Sequence, residues 1–155
     1  MHDGMWMSDT LAMTTGKGFS DSTRLVGHLR IWLNGQLVRD IHNTITTAAK
    51  AGAADQVLAS PTLAKPTHMA VGTSTPAANA LGIELDRNIL TSKTRSTNVV
   101  TMVGDWLAGD GTGAITEAGT FDDPTVGNMW MSSSFSVINK GASDTLSISW
   151  TLTFN

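Results

Sequence analysis

Thr145-Leu-Ser-Ile-Ser-Trp-Thr-Leu-Thr-Phe154 is the stretch that decides the fold. Leu146, Ile148, Trp150, Leu152 and Phe154 alternate with Ser147, Ser149, Thr151 and Thr153. A period of two puts the five apolar side chains on one face of a β-strand and the hydroxyl residues on the other. The apolar face is core material; the hydroxyl face is either solvated or packed against a neighbour. Trp150 belongs to the core.

Reading outward, Asn128 to Ile138 and Ala114 to Phe121 are two further strand candidates, set off by the turn-forming stretches 139–143 and 122–127. The glycine cluster Gly109-Asp-Gly-Thr-Gly113 predicts a turn between strands, and Ile89 to Ser96 with Asn98 to Trp106 predicts a strand pair around Ser96-Thr97. Asn79 to Arg87 reads as a short helical turn. Upstream, two strand-like runs between Gly27 and Ile41 flank Asn34-Gly35, the favoured type I′ pair because both positions need positive φ. Residues 43–59, rich in Ala and Thr, predict one helix capped near Asn43, weakened by Gly52 and ended by Ser60-Pro61. Short strands at this spacing predict a mainly β fold, an antiparallel sandwich of jelly-roll type over residues 25–155.

Residues 1–24 show neither period, yet carry Met5, Trp6, Met7 and Leu11. They read either as a loose terminus or as an extended arm that docks on a neighbouring subunit. They have neither the basic start nor the apolar run of a secretory signal, so the chain is expected to be made in the cytosol.

Of the 155 residues 41% are hydrophobic and 15% charged, which is a globular composition of low charge. Net charge is -3 with Lys and Arg scattered along the chain, so neither nucleic acid nor a membrane is an expected partner. With no Cys there is no disulfide framework and no thiolate chemistry.

The chain is equally poor in reactive constellations. His2, His28, His42 and His68 have no second ligand at metal spacing. Gly16-Lys17-Gly18 lacks the spacing and the Ser or Thr of a phosphate loop, and the 109–113 cluster lacks that of a dinucleotide fingerprint. Asp105, Asp110, Asp122 and Asp123 could meet around a calcium ion, but aspartates in loops ordinarily make turns. Glu117 falls at an inward position, where a carboxylate needs a partner, and Arg87 is the candidate for a structural ion pair that fixes register. A lone carboxylate with no second acid, base or metal does little chemistry, so no enzyme and no cofactor are expected.

Four stretches carry a resemblance: Met69-Ala-Val-Gly-Thr-Ser-Thr-Pro76, Leu81-Gly-Ile-Glu-Leu-Asp-Arg87, Ile115-Thr-Glu-Ala-Gly-Thr-Phe121, and Asn139-Lys140 followed by Asp144 to Phe154. Together they resemble small virion structural proteins of tailed bacteriophages over about residues 65–155, and the upstream hairpin and helix resemble the preceding part of such chains. One departure is Gly119-Thr120-Phe121, where similar proteins more often carry an apolar residue before the Phe. The resemblance implies a component of the virion, assembled in the host cytoplasm. A tail fibre would need a repetitive shaft and a receptor-binding tip, for which 155 residues without internal repeats leave no room. The expected role is therefore a capsid decoration, or cement, protein that binds the major capsid protein or another virion protein, often as a homotrimer. The alternatives are a tail, baseplate or fibre-attachment protein, and a carbohydrate-binding sandwich using exposed Trp and loop Asp. Trp32, Trp106 and Trp130, with the aromatic and Met residues of the arm, are the candidate interface anchors, although most tryptophans in such a domain are core.

Overall fold

The computed structural model describes residues 24–155; Met5, Trp6, Met7 and Leu11 of the expected arm lie outside the described residues. Ten strands and one helix follow in chain order: β1 (Leu25–Leu33), β2 (Gln36–His42), β3 (Thr44–Ile45), α1 (Thr47–Asp55), β4 (His68–Gly72), β5 (Glu84–Ile89), β6 (Ser92–Ser96), β7 (Val99–Trp106), β8 (Gly113–Phe121), β9 (Met129–Lys140) and β10 (Leu146–Phe154). They form two antiparallel five-stranded sheets, ordered β2-β1-β10-β7-β6 and β3-β9-β8-β4-β5. This is a β-sandwich. Its outer wrap, in which β1 pairs with β10 and β3 with β9, is jelly-roll-like.

The strand that decides the fold lies at the centre of the first sheet. Leu146, Ile148, Trp150 and Leu152 face inward with Leu29, Ile31, Met102 and Trp106, and meet Met69, Val71, Ile115 and Met131 of the second sheet. Phe154, fifth of the alternating set, is only half-buried, at an end of the sandwich where the core is less completely covered. A second, small cluster of Ala70, Leu81, Phe121 and Met129 packs separately from this core.

The turns follow from local chemistry. Asn34 and Gly35 both have positive φ, as a type I′ hairpin requires, and β1 returns as β2 with Leu33 opposite Gln36. The Asn34 side chain also ties the hairpin tip to the turn before β10, donating to Asp144 and accepting from the Thr145 amide. Gly111 closes against Trp106 with φ +56; a Cβ there would lie 2.9 Å from the indole ring, so the glycine cluster permits both the turn and the close approach.

Three expectations are corrected. The helix runs over Thr47–Asp55 rather than 43–59, because Thr44 and Ile45 pair with Ser132 and Met131 as β3 before the helix begins. Its N-cap is Thr46, not Asn43: the Thr46 hydroxyl accepts from the Ala49 amide at 3.2 Å. At the other end Asp55 accepts from the amides of Thr62 and Leu63, which fixes the following loop and leaves Val57 and Leu58 exposed. The expected helical turn at residues 79–87 is replaced by a loop and β5. The expected strand from Ile89 to Ser96 begins only at Ser92: Ser92–Ser96 pairs with β7 across the Ser96-Thr97 turn as expected, whereas Ile89 ends β5 in the other sheet and the chain crosses between the sheets at Leu90 and Thr91.

Candidate interaction surface

Glu117 is fully buried. Its carboxylate accepts from three backbone amides of the loop between β4 and β5: Oε1 takes Ser74 at 3.1 Å and Ile83 at 2.9 Å, and Oε2 takes Gly82 at 2.9 Å. Strand register brings Gly72 opposite Glu117, and only glycine fits there, since a Cβ would lie 2.5 Å from Oε1 and 2.4 Å from the Ile83 carbonyl. Converging amides supply what a buried carboxylate otherwise obtains from a cation. The expected Arg87–Glu117 ion pair is therefore corrected: the partner of Glu117 is backbone.

Arg87 pairs instead with Glu84, Nε to Oε1 at 2.9 Å and Nη2 to Oε2 at 2.6 Å. Nη1 donates to the carbonyls of Asp123 and Val126, and the guanidinium lies 3.7 Å from the centre of the Phe121 ring. Residues three apart on a regular strand face opposite ways. Here the register shifts between Val71 and Gly72, so that Glu84 lies opposite Gly72 while Arg87 lies opposite Ala70. The bulge returns Glu84 and Arg87 to one face.

The outer face of the first sheet carries the hydroxyl row. Ser147, Ser149, Thr151 and Thr153 are half-buried, flanked by Trp32, Arg30, His28 and Val26 of β1 and by Asp105, Val103, Thr101 and Val99 of β7. Trp32, half-buried, forms one wall of an open groove of about 520 Å³ with Val103, Asp105, Leu107, Ser147 and Ser149. Farther along the same face Asp40 accepts from Arg30 at 3.1 Å and contacts His28, whose ring lies 5.4 Å from that of His42. Desolvation pushes the Asp40 carboxyl up, but hydrogen bonds from Arg30 and His28 outweigh it and hold the group below the ordinary carboxylate range.

Trp106 is fully buried and Trp130 nearly so, with Trp130 at the floor of a cleft; both are corrected from interface anchors to core. Trp130 fills the space above Gly52, where a Cβ would meet its ring at 2.1 Å. Of the four candidate calcium aspartates, Asp105 lies in β7, and Asp122 and Asp123 make turns. Asp122 accepts from the Asn128 amide at 2.7 Å, and Asp123 from the amides of Thr125 and Val126 at 2.9 and 3.0 Å. Among the described residues no three His, Asp or Glu side chains come together as a metal site, and no helix is long and apolar enough to cross a membrane.

Sequence reading missed one feature. Lys65, Lys93 and Arg95 line a cleft of about 340 Å³, and Arg24 and Lys50 line another of about 850 Å³ that shares Ala53 and Phe154 with it. Half of the chain's ten basic residues thus surround one end of the sandwich. Little in their linear spacing signals this, because they come from four separate places in the sequence, with only Lys93 and Arg95 sharing a strand. Comparison with family models, with curated proteins and with solved structures finds no match to this chain.

Proposed function

We propose that this chain is a bacteriophage virion structural protein, a capsid decoration protein that binds the head surface and stabilises the shell as a homotrimer. One observation carries the reading. The stretches 69–76, 81–87 and 115–121, which resemble small phage virion proteins, are not scattered in space: Gly72, Ser74, Gly82, Ile83 and Glu117 form one knot, with Glu84, Arg87 and Phe121 beside it. Three of the four stretches that carry the resemblance thus share one structural unit, while the fourth, 139–140 with 144–154, runs through the end of β9 and β10.

Such a role works through contact rather than bond chemistry. The outer face of the first sheet suits it: hydroxyl and valine side chains with a half-buried tryptophan form a partly apolar surface of the kind found in protein interfaces, with the Arg30–Asp40 pair reaching from β1 to the edge strand β2. The test is co-sedimentation of the purified protein with shells that lack it. Saturable binding, weakened by Trp32→Ala, supports the proposal; no binding to shells overturns it. The Trp32 groove also favours a second reading, a carbohydrate-binding module, since an indole beside Asp105 and serine hydroxyls is what a sugar ring stacks and hydrogen-bonds on. A glycan array without hits removes that reading. A tail or baseplate protein remains the alternative within the virion, decided by where the chain lies on the particle.

A further inference from the structure

We propose that the chain's own N-terminal segment, Met5 to Met13, docks into the basic-rimmed groove between α1 and the open end of the sandwich. This inference concerns the free protein and stands whether or not the chain belongs to a phage particle.

The groove is an unfinished part of the core. Four of the five apolar residues facing inward along β10 are buried, but Phe154 is not, and Leu25 beside it is half-covered. Val57, on the far lip, is 87% exposed. The two joined clefts, about 850 and 340 Å³, have a floor of Phe154, Leu152, Met102 and Trp130. That is room for several large side chains.

The described chain begins at this groove. Arg24 lines it, and backbone bonds to Asn155 in both directions, at 2.7 and 2.8 Å, fix Arg24 at its lip. Twenty-three residues precede it in the sequence. A tether of this length places the segment at an effective concentration on the order of millimolar, so even modest docking affinity suffices to hold it.

The chemistry is complementary in both respects. The segment offers Met5, Trp6, Met7, Leu11 and Met13, and unbranched methionine adapts to an irregular cleft. Before Arg24 the chain carries Asp3, Asp9 and Asp21 against the single Lys17, whereas the groove is rimmed by Arg24, Lys50, Lys65, Lys93 and Arg95. Lys93 already donates to the Pro66 carbonyl at 2.7 Å. Burial, and then the nearby Lys65 charge, pull its amine below the usual range, so an aspartate brought alongside relieves an existing repulsion.

Because the natural chain has no cysteine, disulfide trapping tests this cleanly. Ser8→Cys is combined with Val57→Cys at the groove, and separately with Val126→Cys, a comparably exposed position near Arg87. From residue 24 back to residue 8 an extended chain spans up to roughly 55 Å, so an undocked segment has a wide range of the surface within reach. Under mild oxidation at low micromolar concentration, the expected result is an intramolecular disulfide at Val57→Cys forming at least tenfold faster than at Val126→Cys. Lys65→Glu with Lys93→Glu should reduce that preference severalfold, with the melting temperature confirming the fold. Equal rates at the two positions, or disulfides formed only between chains, overturn the proposal; the latter would make a second copy the occupant.

Discussion

Replacing Glu117 by Gln tests the knot that holds the 73–83 loop, and its magnitude follows from the hydrogen bonds. Gln keeps the shape of the side chain but has one acceptor oxygen instead of two. With that oxygen at the Oε1 position it retains the Ser74 and Ile83 amides and turns its own NH₂ toward the Gly82 N–H, a donor facing a donor. An unmet buried donor costs about 1–3 kcal/mol, and demoting two charge-assisted bonds to neutral ones about 1 kcal/mol each. Relief from burying a charge offsets part of this, leaving a net loss of about 3 kcal/mol. For a domain of this size that lowers the melting temperature by roughly 6–12 °C. Urea and thermal unfolding measure the global effect. Hydrogen exchange at Ser74, Gly82 and Ile83 measures the local one, with exchange rising there first. A variant within about 0.5 kcal/mol of the natural chain, with unchanged protection at those amides, would refute the reasoning, because it would mean that the loop is held by something other than the carboxylate.

Gly52→Ala normally strengthens a helix by about 1 kcal/mol, but here the new methyl meets the Trp130 ring at 2.1 Å, and overpacking of about 1–3 kcal/mol should reverse the sign; a melting temperature above that of the natural chain would contradict this packing. Asp123 is held below the ordinary carboxylate range by the Val126 and Thr125 amides, and Asp144 by the Asn34 side chain and the Gly141 amide. Since both folded values lie below the unfolded one of about 3.9, their contribution is complete above roughly pH 4 to 5 and is lost as pH falls through the folded values. Thermal melts from pH 6 to pH 2 should show that decline, and Asp123→Asn with Asp144→Asn should flatten it. Trp32→Ala should weaken binding to shells at least tenfold while shifting the melting temperature by only a few degrees, as a half-buried residue on the outer face of a sheet allows.

The sandwich was legible because its signals are local. The alternation of Leu146 to Phe154, the Asn34-Gly35 turn and the 109–113 glycines each specify their own backbone. What eluded the sequence depends on distant pairing. Thr44 and Ile45 have no strand signature of their own and become a strand only because β9 lies alongside, which moves the helix cap from Asn43 to Thr46. Burial of Glu117 was readable from strand period, but its partner was not. The bulge between Val71 and Gly72 turns Glu84 toward Arg87, and the amides of a loop with no charge replace the cation. Trp106 and Trp130 look like any other tryptophan in sequence, and only the glycines packed against them, Gly111 and Gly52, mark them as core. The basic groove, gathered from four separate places in the sequence, leaves no linear trace beyond Lys93 and Arg95 on one strand.

A single labelled image of the phage particle tests the central proposal most directly. With a tag on an exposed loop, such as the one containing Val126, the expected density decorates the icosahedral head in a regular, threefold-related pattern. Density confined to the tail or baseplate, or a particle without the tag, would contradict it.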